Sequence, residues 1–145
     1  MREILFRGQV RRKGERVNLK GDPLPGKWVY GGVLQGPGDF SIIYDCENEN
    51  IRSVEKWPVY TDTLGQYIGC DDKNGRRIYE GDIVVSDFFF PLYVKFDDDL
   101  GYYFLFDGKN GYREINPYWT REKVEVIGNI YDDDYEEVKK LYDKS

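Results

Sequence analysis

The chain has 145 residues, 33% of them charged and 17% aromatic, with a formal net charge of −6 and no histidine. This length makes one domain with a core that needs no disulfide or metal, and the aromatic content excludes a disordered chain. The missing histidine excludes Ser-His-Asp and Cys-His catalysis and histidine-ligated metal.

The charge is uneven. Residues 1–20 carry Arg2, Arg7, Arg11, Arg12, Lys13, Arg16 and Lys20 against Glu3 and Glu15, a net of +5, so the remainder carries −11. A basic hairpin lying on an acidic body accounts for this. A nucleic-acid contact is the alternative, opposed by the repulsion of phosphates from the body. No apolar run reaches the length of about 18 residues that a membrane helix needs. Met1–Arg7 has no apolar stretch of signal-peptide length, so a soluble, intracellular chain is expected. Cys46 and Cys70 lie far apart and outside any C-x-x-C pair, and reduced, buried, inert thiols are the expectation.

In chain order, Gly21–Gly26 is a Pro- and Gly-rich loop through which no central strand runs. Lys27–Leu34 reads as a strand with Trp28 and Tyr30 on one face. Phe40, Ile42, Tyr44 and Cys46 alternate with more polar neighbours as a second, half-buried strand. The turn residues Gln35–Asp39 join the two as a hairpin. After the polar loop Glu47–Asn50, Val54, Trp57 and Val59 resume an apolar pattern. Asn74-Gly75 is a hairpin turn, and Glu80-Gly81-Asp82 a bend or glycine bulge leading into Ile83–Val85. Leu92, Val94 and Phe96 alternate, Asp97–Gly101 turns the chain, and Tyr102, Phe104 and Phe106 alternate back. Asn110-Gly111 turns it again toward Tyr112–Ile115, and Val124–Ile130 closes the run of strands. Short strands joined by tight turns predict a mainly-β, antiparallel, barrel-like architecture. Asp132–Asp134 then opens a short C-terminal helix whose stripe Tyr135, Val138, Leu141 and Tyr142 docks on the barrel. The expectation is a single domain over 1–145, divisible into β-units over 1–60 and 65–145, with the boundary in Val59–Leu64.

The candidate chemical motifs resolve mostly into turns. Asp71–Gly75 lacks the acidic first and glutamate twelfth positions of a calcium loop. Asp97–Asp99 and Asp132–Asp134 supply hard oxygen ligands, but three consecutive residues of an extended chain cannot all face one ion, so no metal site is assigned. Gly36-Pro37-Gly38 has no lysine at phosphate-loop spacing, and no cofactor is expected. Glu80 and Asp82 share a face on a regular strand and suit acid–base work there, a relation that a bulge at Gly81 breaks. No catalytic residue is therefore assigned. Phe88, Phe89 and Phe90, beside Pro91, form either an exposed partner-binding patch, core, or an oligomer interface. Arg11, Arg12 and Lys13 are the nucleic-acid candidates, with exposed aromatics as base-stacking platforms.

Taken together, the ordered motifs carry a resemblance. Met1–Gly8, Trp28-Val29-Tyr30-Gly31, Gly65–Gly69, Asp72–Gly75, Ile78–Val84 and Val124–Asp132 resemble, in order, the segments of the YopX family of bacteriophage and prophage proteins of Gram-positive bacteria. Val17–Gly26 departs from the family pattern as an insertion between the opening and the tryptophan. The resemblance implies a phage-derived, β-rich protein of the host cytoplasm, and it carries over no catalytic residue.

Three functions follow in order of preference. The first is a non-catalytic module that binds a host or phage protein, or a second copy, through exposed aromatics. The second is a nucleic-acid-binding module using the basic hairpin. The third is a metal-dependent hydrolase using clustered carboxylates. Fold alone supports no chemistry, which puts the enzyme last.

Overall fold

A computed structural model describes residues 3–11, 27–38, 40–45 and 55–142. The chain forms two compact units, Glu3–Gln66 and Tyr67–Ser145. Both are built from antiparallel strands.

In the first unit, β1 (Phe6–Gln9), β2 (Trp28–Gln35), β3 (Ser41–Asp45) and β4 (Lys56–Pro58) are followed by one 3-10 turn (Thr61–Thr63) and the start of β5 (Gly65–Asp71). The order is β4-β3-β2-β1-β5. β-branched and aromatic residues fill β2 and β3, as a pleated half-buried surface favours. The core is Val10, Val29, Ile43 and Val59, with Phe6, Val33, Trp57 and Leu64 against it. The β2–β3 hairpin forms with Gln35 opposite Ser41, but the inward face of β3 is the other one. Ser41 and Ile43 are buried, whereas Phe40 is exposed. Ile43 lies between Val33 and Trp57, and the Ser41 hydroxyl bonds that of Thr61 at 2.8 Å. A polar residue thus occupies an inward position because the 3-10 turn gives it a partner. Arg7 is buried too, its guanidinium 4.6 Å from the centre of the Trp28 ring.

In the second unit, β5 continues and pairs with β6 (Arg77–Tyr79). The main sheet runs β10-β9-β8-β7-β11, from β7 (Asp82–Ser86), β8 (Phe89–Asp97), β9 (Tyr102–Phe106), β10 (Tyr112–Glu114) and β11 (Glu125–Asn129). Its core is Cys70, Ile78, Val84, Val94, Leu105, Val124 and Val126, with Leu92, Tyr103 and Trp119 among the residues packed on it. The mainly-β, antiparallel reading stands. Among the described residues neither sheet closes into a barrel: each has two end strands, and an isolated bridge joins Val10 and Val59.

Among the described residues, the helices α1 (Pro117–Lys123) and α2 (Tyr135–Tyr142) complete the second unit. The sequence reading has no counterpart of α1, although its start is written in the chain. Asn116 Oδ1 accepts the amides of Tyr118 and Trp119 at 3.0 and 3.2 Å, and Pro117 stands first in the helix, where a missing amide costs nothing. The C-terminal helix forms where expected, capped by Asp134 Oδ1 on the amides of Glu136 and Glu137. It docks by one end. Tyr135 is buried and its hydroxyl donates to the Pro91 carbonyl at 2.6 Å, while Leu141 is 67% and Tyr142 45% exposed. Among the described residues, no helix is long and apolar enough to cross a membrane.

Candidate functional site

The acidic clusters come first, because they carry the catalytic and metal alternatives. Asp72 is buried. Its Oδ1 accepts the amides of Asn74 and Arg76, both at 2.9 Å, and its Oδ2 accepts the Val126 amide of β11 at 3.0 Å. The loop Asp72–Gly75 is thus a staple between the turn and an edge strand. Gly75, at φ +79°, closes it in a conformation other residues rarely adopt. Asp97 Oδ1 accepts the amides of Asp99 and Leu100 in the β8–β9 turn. Asp107 Oδ1 accepts those of Lys109, Asn110 and Gly111 in the β9–β10 turn, and these bonds, the Lys109 amide foremost, hold its carboxyl below the usual range.

The last acidic run divides its labour. Asp132 takes the Asn129 side-chain amide, Asp133 the Asn129 backbone amide, and Asp134 caps α2. Asp82 is buried with Oδ2 on the Tyr79 amide at 2.8 Å, and a turn at Gly81 separates it from Glu80. Among the described residues, no three His, Cys, Asp or Glu side chains are grouped to hold a metal ion. Cys70 is buried in the core, and burial pushes its thiol up to about 11. Cys46 lies outside the described residues.

The aromatic run is placed differently. β7 and β8 form a hairpin whose two-residue turn is Asp87-Phe88, with the Ser86 hydroxyl accepting the Phe88 amide at 3.3 Å. A large aromatic residue thus stands where turns usually carry small polar ones. Phe88 is 63% and Phe90 54% exposed, and Phe89 is half-buried. Phe88 and Phe89 lie 5.8 and 5.9 Å from the ring centre of Trp119 on α1. The Arg113 guanidinium lies over Phe89 at 5.0 Å and Trp119 at 6.0 Å. Phe88, Phe89 and Phe90 all line, with Tyr142 of α2, a cavity of about 320 Å³ at the hairpin tip. The outcome is a corner of aromatic rings beside a cavity, with the exposed Arg113 lying over Phe89 and Trp119.

Of the sequence-predicted residues, Phe88, Phe89 and Phe90 therefore come together on the surface. Arg11 is exposed just beyond β1, its amide donating to the Pro58 carbonyl at 2.8 Å, while Arg12 and Lys13 lie outside the described residues. Trp119 and Arg113 join the aromatic corner without having been singled out. The Asn116-Pro117 helix start was the available signal for Trp119. Arg113 had none, since it reaches the corner only through strand pairing.

Comparison with known proteins agrees with the family resemblance. No curated protein matches the chain. The model of the family described as YopX protein matches residues 26–135, which hold the Asp72 staple, the hairpin tip and α1, and leave β1 outside. That match covers well over half of the sequence, and the chain belongs to the YopX family.

Proposed function

We propose that the protein is a non-catalytic interaction module, made by a phage or prophage and working in the host cytoplasm, that binds a partner protein through the aromatic corner. The observation that carries this reading is the exposure of Phe88 and Phe90 at a hairpin tip, beside the half-exposed Tyr142. Burying one such ring against a partner contributes about 1.5–3 kcal/mol. Exposed aromatic anchors clustered around a cavity are what interface hot spots are made of. The carboxylate clusters support the same reading, because they are spent on backbone amides of their own turns.

The test is site-specific photo-crosslinking in host lysate, with and without nuclease treatment, with a benzophenone side chain at position 88 or 90 and, as control, at the exposed Leu34 of the first unit. A discrete protein adduct from 88 or 90, absent from 34 and abolished by Phe88→Ser/Phe90→Ser in the neighbouring position, is the expected result. Adducts that do not depend on position would remove the corner. Adducts that vanish with nuclease would move the function to nucleic acid, which predicts steep weakening with salt and dependence on Arg11, Arg12 and Lys13.

A further inference from the structure

The two edges of the second-unit sheet are treated differently. At β11 the Asp72 loop supplies partners: the Val126 amide donates to Asp72 Oδ2, and the Lys73 amide donates to the Val124 carbonyl at 2.8 Å. At the other edge, Tyr112, Arg113 and Glu114 of β10 are all exposed. The β9–β10 ladder begins with the Asp107 amide on the Gly111 carbonyl and continues with Tyr112 opposite Phe106, Arg113 opposite Leu105 and Glu114 opposite Phe104. Antiparallel alternation turns the main-chain groups of Arg113 toward β9 and those of Tyr112 and Glu114 outward. Among the described residues nothing pairs with those outward groups.

This open edge runs between two aromatic surfaces. On one face the Tyr112 ring stacks on Phe104, with centres 4.8 Å apart and planes at 25°. On the other, Arg113 lies over Phe89 and Trp119, which joins the strand to the aromatic corner. An unpaired strand edge complements an extended backbone, and the side chains of a strand laid there alternate between the two faces.

We propose that β10 receives an extended segment of a partner protein as a sixth strand of this five-stranded sheet, a mode of binding that rests on the aromatic corner being the interaction surface. Tyr67–Ser145 holds eighteen acidic residues against eleven basic ones, so a segment bearing lysine or arginine suits it. A second copy of the chain suits it less. Antiparallel self-pairing centred on Arg113 sets two guanidinium groups opposite one another, and like charges in that position oppose pairing.

The test uses the full chain and a decapeptide of alternating valine and lysine. The peptide is expected to slow amide exchange at Tyr112 and Glu114 by about tenfold or more, as new main-chain hydrogen bonds do. Glu114→Pro removes an outward amide and leaves the Arg113–Leu105 pairing, so affinity falls about tenfold, whereas Glu114→Thr loses the carboxylate but keeps the amide and weakens binding by less. The same peptide N-methylated at alternate residues binds about tenfold more weakly, an arm that needs no folded variant. Absence of binding at millimolar peptide, unchanged exchange at both amides, or equal affinity of the N-methylated peptide would each overturn the proposal. Phe88→Ser/Phe90→Ser separates the two readings. Binding lost in this variant but kept in Glu114→Pro overturns the edge and leaves the corner. Binding lost only in Glu114→Pro keeps the edge and removes those two rings from the contact.

Discussion

Asp72 shows how much one side chain can hold. Its carboxylate accepts three backbone amides, one of them from β11, fifty-four residues away in sequence. Asp72→Ala leaves the Val126 amide buried without an acceptor and frees the two turn amides, and urea denaturation should show a loss of about 3 kcal/mol. Asp72→Asn keeps one acceptor oxygen and should lose less. Gly81 is constrained twice. Its φ is +92°, and an added Cβ would meet Tyr131 Cε2 at 2.7 Å. Its amide and carbonyl are also fixed, by the Val94 carbonyl and the Ile130 amide. Gly81→Ala should therefore cost about 2–3 kcal/mol in the same measurement. Both residues belong to the ordered motif that carries the family resemblance, and both do structural work.

At the scale of elements, α2 separates docking from display. The stripe Tyr135, Val138, Leu141 and Tyr142 reads in sequence as one buried face. In the structure the Tyr135 ring packs edge-on to Tyr93 at 4.9 Å and its hydroxyl reaches Pro91, while the far end of the stripe is exposed. Tyr135→Phe should destabilise by about 1 kcal/mol, the worth of one buried hydrogen bond, while Leu141→Ser should change stability by less than about 0.5 kcal/mol. Thermal melts of the two variants check the contrast. In α1, Asn116→Ala removes the acceptor for two amides and should cost about 1 kcal/mol.

For the whole molecule, alkaline pH is the informative variable. Burial raises the Cys70 thiol to about 11 and raises the Tyr67 and Tyr135 hydroxyls above their ordinary values. Each is an acid whose folded-state pKa is raised. Its contribution is therefore fully present below the unfolded value and is lost as pH rises toward the folded one. For Cys70 the window is about pH 9 to 11, where the unfolded thiol ionises and the native one does not. Chemical denaturation should show stability falling across it by at most about 1.4 kcal/mol per pH unit for each such group. Cys70 should accordingly resist alkylation at pH 8 in the native state and react on unfolding.

Most strands from β2 onward are legible in the chain, because alternation of apolar residues and the chemistry of turns are local. Asn74-Gly75, Asp97–Gly101 and the aspartate start of α2 act within a few residues, and each is found where the chain writes it. The inward face of β3 was not legible. Ile42 is as apolar as Ile43 and Phe40 and Tyr44 are large aromatics, so only the neighbours Val33 and Trp57 and the Thr61 hydroxyl choose between the faces. The fate of the Phe88–Phe90 run was left open for the same reason: an apolar run is core, interface or display according to what packs on it. The tertiary structure decided that two of the three rings stand in solvent. It alone brought Trp119 and Arg113 to them and set β10 at the end of the five-stranded sheet, because these arrangements depend on pairings that no local pattern encodes.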